Sequence, residues 1–125
     1  MLRSPLFGLG LSILFYASPA SAEVMQLECS FDFSCVKEGE CGSSKFEMRF
    51  SLDTVTEEAF AVGSGGLSPV RFLSGYGAFS FVEELDSGAV QTTTIAEGGR
   101  AVHSRNTVIA GMIANSQYLG ECRRP

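Results

Sequence analysis

The sequence predicts a small all-β domain, an antiparallel barrel or sandwich of about eight strands closed by disulfides. Three observations carry that expectation. Apolar and polar residues alternate with a period of two through residues 27–35 and again through 46–53, the pattern of a half-buried strand. Strand-like runs then recur roughly every ten residues, with Gly, Asp, Ser and Pro clusters between them. The chain also holds four cysteines, which in an exported protein of this size read as two disulfides. No window shows sustained helical periodicity, and no repeat, linker or second domain is visible.

Export is read from the first residues. Arg3 supplies a positive n-region, 6–17 an apolar h-region, and 18–22 small residues with Ala20 and Ala22 in an A-x-A pattern before Glu23. This is the form of a cleavable secretory signal over 1–22, and it is too short for a membrane span. An anchor that stays attached is the alternative. Residues 23–125 are then one domain with a modest core, which disulfides would support. Loss of Arg3 takes the formal charge from −5 to −6. That balance argues against nucleic acid or an anionic membrane as partner and permits a cationic one, although solubility alone accounts for mild acidity.

The first strand, 27–35, places Leu27, Cys29, Phe31, Phe33 and Cys35 on one face, expected to be buried. Cys29 and Cys35 on one extended strand lie about 20 Å apart, beyond the reach of a disulfide. Of the two pairings that remain, Cys35–Cys41 with Cys29–Cys122 is the one expected. The first closes a local turn; the second ties the last strand to the first. Cys29–Cys41 with Cys35–Cys122 is the runner-up. Zinc is the other use of four cysteines, but five-residue gaps and export disfavour it. In the second strand, 46–53, the even positions are apolar. A plain hairpin with Cys35 opposite Cys41 would set Phe31 against Lys45, so the two buried faces would disagree. Either a one-residue bulge near Gly42 or a different partner for Cys41 resolves this.

A short third strand is expected over 54–62, and 63–69, with Gly63, Gly65, Gly66 and Pro69, reads as a flexible loop. It is no phosphate loop, because no Gly-Lys-Ser/Thr follows. Residues 70–74 form a strand and Gly75-Tyr76-Gly77 a bend. Phe79 and Phe81 face inward, 85–88 is a turn, 90–95 is a Thr-rich strand, and 97–99 turns the chain again. In the strand 101–109, Val102 and Val108 share one face while His103 and Arg105 share the other. Met112 and Ile113 belong to a further strand or to the bend before it. Residues 117–122 close the chain with Tyr118 and Cys122 on one face, and 123–125 form a frayed tail.

Catalytic groups are scarce. His103 is the single histidine. Its neighbour Ser104 points to the opposite face of a strand, so the two do not meet as base and nucleophile. His103 reads as a surface residue beside Arg105. The acidic pairs Glu57-Glu58 and Glu83-Glu84 diverge on strands, so neither serves as a glycosidase pair; they read as solvated edges. Arg71, Arg100, Arg105, Arg123 and Arg124 would make an anion site only if the fold gathers them. No catalytic, metal or cofactor-binding residue is assigned. The candidate partner contacts are Tyr76, Glu57, Glu58 and Arg105.

The segment 99–108 (Gly-Arg-Ala-Val-His-Ser-Arg-Asn-Thr-Val) and the segment 116–122 (Ser-Gln-Tyr-Leu-Gly-Glu-Cys), together with the early cysteine cluster, resemble a group of small uncharacterised exported bacterial proteins. That resemblance implies a disulfide-tied β-domain and no known activity. Ser74-Gly75 followed by aromatics is similar to a segment of the periplasmic inhibitors of C-type lysozyme, which are small β-barrels, with Ala78 where those have tyrosine. The function expected is a non-enzymatic periplasmic or secreted binding module for a protein, inhibitor-like and with a cationic partner. A barrel that carries a small ligand is the alternative, and an enzyme is disfavoured.

Overall fold

A computed structural model of the chain describes residues 23–37 and 39–125. The expected signal segment, 1–22, lies outside the described residues, as does Glu38. Eight strands run in chain order: β1 (Val24–Val36), β2 (Glu40–Asp53), β3 (Ala59–Gly63), β4 (Gly66–Ser74), β5 (Ala78–Glu84), β6 (Val90–Ala96), β7 (Arg100–Ile109) and β8 (Met112–Arg123). Each pairs antiparallel with its neighbours, and β8 returns to β1, so the sheet closes into an up-and-down barrel. Closure leaves no free edge where the strands overlap, which answers the choice between barrel and sandwich.

The up-and-down order sorts the connections between two rims. The lower rim holds Glu23, the C-terminal residues and the turns at 54–58, 75–77 and 97–99. The upper rim holds Lys37 and Gly39 and the turns at 64–65, 85–89 and 110–111. Alternation turns Leu27, Cys29, Phe31, Phe50, Leu52, Phe81, Ile95 and Cys122 into the core. Phe50 stacks on Phe81 with ring centroids 4.3 Å apart, and Phe72 and Phe79 pack around that pair.

Both disulfides join directly opposed residues, Cys29 with Cys122 and Cys35 with Cys41. The expected bulge is present. Phe31 opposes Phe46 and Phe33 opposes Ser43, so Ser44 and Lys45 together face Asp32. On the other side, Phe31 opposes Gly120 and Phe33 opposes Leu119, which makes Asp32 the extra residue against β8. The consequence corrects the sequence reading. Beyond Asp32 the facing of β1 inverts. Phe33 and Cys35 therefore lie on the outer wall and Ser34 takes the inner face, so the Cys35–Cys41 bond is an outer clasp.

Other corrections are local. Residues 54–58 form a turn, and β3 begins only at Ala59. Asp53 Oδ1 accepts hydrogen bonds from the backbone N–H groups of Val55 and Thr56 at 2.9 and 3.0 Å. The Thr56 and Val55 bonds hold its carboxyl below the ordinary carboxylate value. Glu57 turns in the left-handed region, φ 64°. The supposed loop 63–69 is a tight hairpin in which Gly63 pairs with Gly66 across Ser64-Gly65, and Leu67, Ser68 and Pro69 pair with β3. Residues 112–123 are one unbroken strand, so Arg123 is its last residue and no part of a tail.

Candidate functional site

Two features stand out from the packed barrel: a polar chain inside it and an apolar tip outside it. The inner one centres on His103. β7 alternates so that Ala101, His103 and Arg105 face inward, and His103 is buried to 1% exposure, as is Thr93 opposite it on β6. This corrects the expectation of a surface histidine. His103 and Arg105 do share a face, but that face is the interior. The one local signal in the residues is the two-residue spacing of His103 from Ala101, which puts both on one face of the strand.

The protonation of this chain follows from donor chemistry. The Arg105 Nε–H donates to His103 Nε2 at 3.3 Å. Arginine has no acceptor to offer, so Nε2 must be the bare nitrogen and Nδ1 must carry the proton. His103 Nδ1–H then donates to Thr93 Oγ1 at 2.7 Å. That frees the Thr93 hydroxyl proton for Met48 Sδ, 4.0 Å away. Phe31, Phe46 and Tyr118 ring the imidazole, with centroids 6.0, 5.5 and 6.0 Å from it. Burial, and after it the Arg105 charge, pushes the His103 pKa from 6.5 down to about 4. The group is held neutral, as a structural hydrogen-bond relay.

A pH dependence follows. The folded-state value lies below the ordinary one, so between pH 6.5 and about 4 the unfolded chain binds the extra proton. The contribution is complete above pH 6.5 and is lost as the pH falls towards 4. A shift of that size corresponds to roughly 3 kcal/mol. Urea unfolding at pH 7 and pH 4 is expected to show that loss in the wild type and a flatter profile in His103→Gln. Equal slopes in the two proteins would remove His103 from the account.

The remaining candidates are dispersed. Ser104 faces outward, where its Oγ accepts from Gln117 Nε2 at 3.4 Å. Glu83 takes the inner face beside Gln91, whereas Glu84 lies outside and pairs with Arg71 at 3.3 Å. Glu57, Glu58 and Tyr76 all belong to lower-rim turns, and Tyr76 is fully exposed. Arg100, Arg123 and Arg124 also lie towards the lower rim, and Arg123 meets Glu28 at 3.7 Å. The five arginines are therefore not gathered, and Arg105 is separated from Tyr76, Glu57 and Glu58 along the barrel.

The feature the sequence reading did not single out is the β7–β8 hairpin tip on the upper rim. Val108, Ile109, Met112 and Ile113 are 56, 63, 73 and 79% exposed. Val108 and Ile113 oppose each other on one face, Ile109 and Met112 on the other. The turn between them puts Ala110 and Gly111 at φ 51° and 78°. Two positive φ values suit a hairpin turn made of Asn-Gly; alanine there is strained. The signal was the uncharged run 107–117, which reads as a strand and conceals that its apolar end projects past β6. Beside it, a hollow of about 460 Å³ opens between Ala89, Val90, Thr107, Val108 and Ile113. Comparison with protein-family models, with curated proteins and with solved structures finds no match to this chain.

Proposed function

We propose that this chain is an exported binding module without catalytic activity, and that it engages a protein through its outer surface in the periplasm or outside the cell. The observation that carries the reading is the β7–β8 tip, where four large apolar side chains stand in solvent on a strained turn. Large apolar side chains exposed on both faces of one hairpin tip mark a contact surface, and strain retained in a turn is a further pointer to function. The packed interior supports the same reading. Phe50, Phe81, Phe31, Phe46 and Tyr118 occupy the space that a carrier would reserve for cargo. Two disulfides fit an oxidising compartment. Tyr76 on the opposite rim is a second, independent contact.

A photo-crosslinking residue placed at Ile113 in the exported protein tests this. It is expected to give one discrete protein adduct, and Val108→Asp should weaken that adduct roughly tenfold while shifting thermal stability little, because the position is exposed. A crosslinking pattern from Ile113 no different from that at Ser64, elsewhere on the same upper rim, would overturn the reading.

A further inference from the structure

We propose that Arg105 is a receptor for a carboxylate at the upper mouth of the barrel, and that its ligand is a small organic acid with an apolar or aromatic body. Arg105 stands one step above the His103 row on the inner face and is only partly exposed. Its guanidinium carbon lies 4.5 Å from the centroid of the Phe46 ring and 5.4 Å from that of Tyr118, and its Nε–H is committed to His103. These contacts fix the plane of the group. Among the described residues they leave Nη1 and Nη2 without an acceptor, and no carboxylate lies within 4.0 Å. Arg71 and Arg123, on the outer wall, each have a glutamate partner.

A guanidinium keeps its charge at any working pH, and its two amino groups match a carboxylate in a bidentate fork. The strand register supplies the surroundings. Gln91 on β6 and Ser116 on β8 are the cross-strand partners of Arg105. Each lies two residues from an inner-face residue, Thr93 or Tyr118, so each shares that face and brings polar groups beside the fork. Val36, the β1 partner of Ser116, adds an exposed apolar side chain at the same level. Glu83 is on the inner face two strands from Arg105, with the strands about 10 Å apart, and makes no ion pair with it within 4.0 Å. One fixed charge beside aromatic rings favours a singly charged organic acid over a phosphate.

Phenylacetate is the probe, followed by the Arg105 Nε–Hε resonance in nitrogen-15 spectra of the oxidised protein. A saturable shift with a dissociation constant of roughly 1 mM is expected, with 2-phenylethanol, which has the ring without the charge, leaving the signal in place. Glu83→Gln should tighten binding about twofold by removing a nearby negative charge. Arg105→Met should weaken it at least roughly tenfold, read through the Tyr118 ring signals; Arg105→Lys, which keeps charge and stem, should also weaken it and serves if the methionine variant does not fold. Equal shifts from 2-phenylethanol, an unmoved Nε–Hε signal, or unchanged affinity in Arg105→Lys would each overturn the proposal. Tighter binding of inorganic phosphate would overturn the assignment to an organic acid.

Discussion

Gly120→Ala is expected to prevent the barrel from closing. Gly120 lies on the inner face of β8 between Tyr118 and Cys122 and opposes Phe31 across the β1–β8 seam. A Cβ at this position would run into the Ser30 carbonyl oxygen and sit 2.6 Å from the Phe31 Cα. Both are backbone atoms of the neighbouring strand and cannot rotate away. The bulge at Asp32 follows immediately in β1, so the seam cannot slip to make room without inverting Phe31, the most deeply buried aromatic. The cost should exceed about 4 kcal/mol, a large part of the 5–15 kcal/mol that a domain of this kind has in total. Gly42→Ala is the control, because nothing lies within 4 Å of a Cβ there, and it should stay within about 0.5 kcal/mol of the wild type. Urea unfolding followed by circular dichroism separates the two. Equal midpoints for Gly120→Ala and the wild type would show that β8 does not approach β1 as described.

The second large effect is expected from removing the Cys29–Cys122 bond. That bond joins the first strand to the last over a separation of 93 residues, and the Cys35–Cys41 bond spans 6. In the chain-entropy account the long loop contributes roughly 4–5 kcal/mol and the short one roughly 2. Burial widens the gap, since Cys29 and Cys122 sit in the core while Cys41 is exposed on the outer wall. The double variant Cys29→Ala/Cys122→Ala should therefore lose at least twice as much stability as Cys35→Ala/Cys41→Ala. The reverse order in chemical denaturation would mean that the closing seam is held chiefly by its strand pairing.

Much of the fold is legible in the residues because period-two alternation and geometric exclusion are local rules. Strand length excludes a Cys29–Cys35 bond and leaves two pairings open, and the need for a bulge follows from the opposed parities of Phe31 and Phe46. The parity argument does not say which residue absorbs the extra step. Placing it at Asp32 sends Phe33 and Cys35 outward, against their apparent membership of the buried face. The buried state of His103 was hidden for a similar reason. A histidine between valine-bearing positions on a weakly patterned strand looks like a surface group until register brings Thr93 and Tyr118 beside it. The apolar tip was illegible because its exposure depends on relative strand lengths: β7 is paired to β6 only between Ala101 and Arg105, and its last residues project beyond that pairing. The bend expected at 75–77 is present, and Tyr76 on it is fully exposed.

Native mass spectrometry of the protein purified gently from its own compartment tests most directly the proposal that a filled barrel binds a partner on its outside. The predicted result is a chain with both disulfides intact, bound to a second polypeptide in a complex that Ile113→Asp weakens, and without a small molecule that stays bound through purification; an acid held at Arg105 at roughly 1 mM is lost on dilution. A small molecule retained at one per chain, unaffected by Ile113→Asp and released only on unfolding, would contradict it and would make the interior a cargo site.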